Sequence, residues 1–168
     1  VFFDIDAIAD TSTGLPHMLP SEEAFSHAAG QLGISDKDTI VVYDGAGLFS
    51  APRVWWTFRT FGAQNVLILN GGLPAWKAEG RPLEEGAPRP TNAVFKADLN
   101  RERVKSKSDM LAIVEKGDAA IADARPQPRF EGIAPEPRPG LRGGHMPGAR
   151  SVPSSLLVKD GALLSRPE

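Results

Sequence analysis

Apolar positions along this chain switch repeatedly between a helical and a strand rhythm. Phe25, Ala28, Ala29 and Leu32 recur at the i, i+3, i+4, i+7 spacing of one helix face. They follow a Ser21 cap and the acidic pair Glu22 and Glu23, which predicts a helix over 21–32 ended by Gly33. Residues 39–43 are short, β-branched and apolar on both faces, the pattern of a strand buried in a parallel sheet beneath helices. Asp44-Gly45-Ala46-Gly47 breaks that strand. Ser50 then caps a second predicted helix, with Pro52 in its first turn, a stripe of Val54, Trp55, Phe58 and Phe61, and a stop at Gly62. Residues 66–69 repeat the buried-strand pattern, Gly71-Gly72 turns the chain, and 74–79 form a short helix before Gly80. The opening run Val1-Phe2-Phe3 reads as a strand already under way. Strand and helix in alternation imply an α/β fold, a parallel sheet flanked by helices.

The rhythm is lost after Gly80, where Pro82, Pro88 and Pro90 favour an extended connector. A helix over 108–116, stopped by Gly117, and a strand over 119–123 begin a second unit. Six prolines then punctuate 125–148, and 151–157 start a strand or make a turn. The expected organisation is a first domain over 1–80, a linker over 81–105, and the first part of a second domain over 106–168. On this reading the chain is a fragment, with the first domain nearly complete and the second truncated.

Composition narrows the classes of function. Of 168 residues 41% are hydrophobic and 24% charged, which calls for a packed core rather than disorder. A net charge of -2 gives no general field for nucleic acid or an anionic membrane. The apolar runs are far shorter than the roughly 20 residues of a spanning helix, and no signal-peptide pattern opens the chain. There is no Cys, so disulfides, cysteine-bound zinc and a thiol nucleophile are all excluded within these residues.

Three places could carry chemistry. The loop from Asp44 to Ser50 joins the C-terminal end of a strand to a helix N-terminus, where backbone amides converge on anions. Asp44 itself is an anion, and either a structural loop or a cradle satisfied by its own carboxylate fits. Arg125, Arg129, Arg138 and Arg142 share a Pro/Gly-rich segment after a strand ending in Asp123. Their guanidinium forks suit a carboxylate or a sulfur oxyanion, with Asp123, Glu131 and Glu136 as competing partners. His17, held between Pro16 and Pro20 and following Asp4 and Asp6, is either an oriented acid/base or a structural donor. His27 falls on a solvated helix face and His145 braces a turn, so the three histidines have no metal-ligand spacing. Trp55 and Trp56 are packing residues, and no phosphate-binding or dinucleotide motif occurs.

Several blocks taken together resemble the tandem-domain sulfurtransferases, the rhodanese and 3-mercaptopyruvate sulfurtransferase family. They are Phe2-Phe3-Asp4-Ile5-Asp6, His17-Met18-Leu19-Pro20, Tyr43-Asp44, Ser50-Ala51-Pro52-Arg53-Val54-Trp55-Trp56, Phe61-Gly62 and Asn70-Gly71-Gly72-Leu73. Later come Asp123-Ala124-Arg125, Arg129-Phe130, Pro135-Glu136-Pro137-Arg138 and Gly144-His145-Met146-Pro147-Gly148-Ala149. Their order across nearly the whole chain is the family's.

The resemblance implies two rhodanese-like domains, with the catalytic Cys in the second and Asp44 at the corresponding place of the inactive first. It implies sulfane sulfur transfer from 3-mercaptopyruvate or thiosulfate, through a Cys persulfide, to a thiol, cyanide or thioredoxin-like acceptor. Arg129 and Arg138 match the family's substrate-holding pair, and Arg138 favours 3-mercaptopyruvate. Asp6 and His17 match two members of a Ser-His-Asp relay. The Ser and Cys lie on a loop that these residues do not contain, so this chain alone is expected to be inactive. No cofactor, metal, nucleic acid or membrane is expected, and a cytoplasmic location follows from the family. The competing reading is a catalytically dead rhodanese-like module that binds an anion or a protein.

Overall fold

The Ser21 hydroxyl accepts the Ala24 amide and starts helix α1 (Glu22–Gln31), whose Phe25 and Ala29 are fully buried. Strand β1 (Thr39–Val42) follows, then α2 (Ala51–Thr60), β2 (Asn65–Ile68) and α3 (Gly72–Ala78). In this computed structural model, which describes residues 1–164, the chain divides into two compact units, Val1–Arg103 and Val104–Glu168.

In the first unit β1 and β2 pair in parallel, with Thr39 opposite Asn65 and Val42 opposite Ile68. Helix α2 packs across both strands and forms the crossover between them. Between helices and sheet, Phe25 stacks on Phe61 at 4.2 Å and meets Phe58 and Phe95 edge-on at 5.3 and 5.2 Å. Each of these four rings is at most 3% exposed. Burying each is worth about 1.5–3 kcal/mol, with the ring geometry adding to it.

Three expectations need correction here. The strand pattern predicted burial on both faces, yet Val41, Tyr43 and Leu67 are more than half exposed while Ile40, Val42 and Val66 are buried. The helical core covers one face of the β1–β2 pair, and apolar letters alone do not distinguish a one-sided from a two-sided strand. The opening residues 1–3 form no strand; Phe3 instead inserts into the aromatic cluster, 5.3 Å from Phe58.

The stretch read as a connector has neither helix nor strand from 81 to 100, but its second half is bound to the first unit. Phe95 enters the core, the Ala93, Asp98 and Asn100 amides donate to the Gly30, Phe61 and Thr60 carbonyls, and the Lys96, Ala97 and Leu99 amides donate to Asp36, Ser26 and Glu22 side chains. Gly30 permits this approach, since a Cβ there would lie 2.6 Å from the Ala93 oxygen.

The second unit starts with α4 (Lys107–Lys116), opened by a reciprocal Ser106/Asp109 capping box and closed by left-handed Gly117. Strand β3 (Ile121–Asp123), the one-turn helix α5 (Gln127–Phe130) and β4 (Ala149–Ser151) follow, β3 and β4 pairing in parallel. Residues 154–156 form a 3₁₀ turn, and β5 (Val158–Lys159) and β6 (Ala162–Leu163) a small hairpin. Pro153 is the only buried residue among those described in this unit.

Candidate functional site

Asp44 follows β1 and directs its carboxylate into the loop that leads to α2. It accepts the Ala46 amide on Oδ1 at 2.9 Å and the Phe49, Ser50 and Ala51 amides on Oδ2 at 2.8, 2.8 and 2.9 Å. Ser50 has near-helical torsions and its side chain makes no capping bond, so the cap predicted for Ser50 is supplied by Asp44. An extended backbone is what lets a capping side chain reach back to the helix amides. Burial works against ionisation of Asp44, but the amides of Ala51, Ala46, Phe49 and Ser50 outweigh it and hold the carboxyl below the usual aspartate range. Gly72 closes the loop from below: its φ is 55°, and a Cβ would meet the Asp44 and Gly47 oxygens at 2.7 Å.

Asp6 and His17 are brought together in the same unit. Asp4 accepts the Asp6 and Ala7 amides and turns the chain, while the Asp10 amide donates to the Met18 carbonyl and closes the loop between them. His17 Nδ1 lies 3.0 Å from Asp6 Oδ1 without the angle of a hydrogen bond; that nitrogen is itself buried, although both side chains reach solvent elsewhere. Residue 17 has left-handed torsions, φ 56°. Arg53 of α2 donates to the His17 carbonyl and places its guanidinium 4.8 Å from the Trp56 ring. Sequence reasoning passed over Arg53, although a cation in the first turn of a helix opposes the dipole and is a signal of some other tie.

In the second unit Arg125 forks onto Asp123, with Nη2 at 2.5 Å from Oδ2, donates Nη1 to Glu136 at 2.6 Å, and also reaches the Gly144 carbonyl. The other Glu136 oxygen takes Arg129 Nη2 at 2.5 Å. Hydrogen bonding from Arg125 pulls the Asp123 carboxyl down, that from Arg129 pulls Glu136 down, and Asp123 in turn raises Arg125. Arg129 is thus braced on a nearly buried carboxylate. Arg138 is exposed and has no ion pair among the described residues. His145 stacks on Phe130 at 3.8 Å and donates Nδ1–H to the Phe130 carbonyl, bracing the turn that carries Arg129. No cluster of three or more metal-ligating side chains occurs among the described residues.

The rhodanese-like domain family matches residues 7–79. The 3-mercaptopyruvate sulfurtransferase of Escherichia coli strain K12 is 47% identical over 168 residues, covering all of this chain and 60% of that protein. The chain is thus similar along its whole length to 3-mercaptopyruvate sulfurtransferases and carries a rhodanese-like domain. Thiosulfate sulfurtransferase of Rattus norvegicus is 44% identical, over 95% of this chain and 55% of its own length. The crystal structure of SseA from Escherichia coli, a 3-mercaptopyruvate sulfurtransferase, superposes with a TM-score of 0.88 at 44% identity, covering 98% of this chain and 62% of that one. The chain spans between 46% and 60% of the length of the curated relatives it matches.

Proposed function

We propose that this chain is part of a two-domain sulfurtransferase that takes sulfane sulfur from 3-mercaptopyruvate. Residues 1–80 form a non-catalytic rhodanese-like domain, 81–105 its connection, and 106–168 the beginning of the catalytic domain. The observation that carries the reading is identity along the entire chain to a protein named for that donor. In the reaction a thiolate supplied outside these residues attacks the donor sulfur. The C–S bond breaks with its electron pair left on carbon, the resulting pyruvate enolate takes a proton, and the cysteine becomes a persulfide that passes its outer sulfur to a thiol, cyanide or thioredoxin-like acceptor.

Arg129 and Arg138 bind the donor's carboxylate and carbonyl. Arg129 is the pre-oriented member, because Glu136 fixes its guanidinium. Arg138 is the member whose charge is not already committed to a carboxylate among the described residues. Asp6 orients His17 for proton transfer. The test is an assay of the polypeptide that continues this reading frame through a Cys-bearing loop, with either donor and cyanide as acceptor. Turnover with 3-mercaptopyruvate exceeding that with thiosulfate is expected. Arg138→Ala should reduce kcat/KM for 3-mercaptopyruvate by about 10- to 100-fold, the loss of one charge-assisted pair, and affect thiosulfate less. Equal losses with both donors would remove Arg138 from its assigned role.

A further inference from the structure

We propose that Arg53 is a positioning residue for the Asp6 and His17 pair, holding residue 17 in the backbone conformation that turns its ring toward Asp6. The proposal rests on the reading of that pair given above. His17 is one of two non-glycine residues with positive φ among those described, the other being Asp160 in a hairpin turn beside Gly161. Positive φ is uncommon for a residue with a Cβ, although His takes it more readily than most, and surrounding contacts stabilise it there. The tie visible here is a side chain from a distant element: Arg53 donates Nη2 to the carbonyl of residue 17 itself.

The donor is itself constrained. Arg53 is the third residue of a helix whose Val54, Thr57 and Phe58 are buried in the core, so its stem has little freedom. Its guanidinium lies over Trp56, and no carboxylate within ion-pair distance competes for it among the described residues. The same helix starts at the Asp44 loop, so one rigid element carries both the filled amide cradle and the clamp on His17. The other carboxylates of this loop, Asp4 and Asp10, accept the Asp6, Ala7 and Ser12 amides, and Asp6 is the one that faces the ring.

A spectroscopic double-mutant cycle on the 168-residue chain tests this. The side-chain ¹⁵N resonances of His17 are recorded at one pH for the native chain, Asp6→Asn, Arg53→Met and the double variant. Met keeps the aliphatic stem but donates nothing; should it fail to fold by tryptophan fluorescence melting, Arg53→Leu takes its place. In the native background Asp6→Asn is expected to move the Nδ1 resonance. In the Arg53 variant the same change should move it by less than half as much. An undiminished response would overturn the role of Arg53 while leaving the pair intact. No response in the native background would overturn the pair itself, and the proposal with it.

Discussion

One carboxylate organises the turn between β1 and α2. Asp44 caps four amides, a task the sequence pattern assigned to Ser50, because the Ser50 backbone is already helical and cannot reach back. Asp44→Ala is expected to cost about 1–2 kcal/mol, as for other lost caps. The folded carboxyl titrates below the unfolded one, so its contribution is full above the unfolded value of about 3.9 and is lost as pH falls through the lower folded value. Urea midpoints for the native chain and Asp44→Ala should differ constantly from pH 7 to 5 and converge below about pH 4. A pH-independent gap would mean that shape rather than charge does the capping. The Arg-rich segment shows the same limit of letters: Glu136 and Asp123 were legible as competitors for the arginines, but their allocation to Arg125 and Arg129 needed coordinates.

Among elements, the strip from 91 to 100 departs most from its sequence pattern. Its prolines and lost periodicity mark it as extended, which it is, but an extended segment can be a tether or a lining. Phe95 decides for the lining by entering the aromatic cluster, and the amides on either side then find acceptors on α1 and α2. Phe95→Ala should cost about 3–5 kcal/mol in urea unfolding. Gly30→Ala should cost about 1–3 kcal/mol, since the new methyl must push back the Ala93 carbonyl. Limited proteolysis is expected to cleave either variant within 91–100 and to spare the native chain there. Unchanged resistance would show the strip to be held by something other than these contacts.

At the scale of the whole molecule, the absence of Cys governs behaviour. The 168-residue chain incubated with 3-mercaptopyruvate and cyanide should release no thiocyanate above the uncatalysed background, and release above it would point to a nucleophile other than a thiol. The alternation of helix and strand, the cap at Ser21, the stops at glycines, the family blocks and the missing nucleophile were determined by sequence alone, because each depends on neighbours a few residues apart or on composition. Tertiary structure alone decided the one-sided burial of β1 and β2, the docking of 91–100, the partners of Asp44 and Arg125, and the clamp of Arg53 on His17. Those features join groups far apart in the chain or choose among equivalent charged partners, and local periodicity carries no information about which distant surface will meet them.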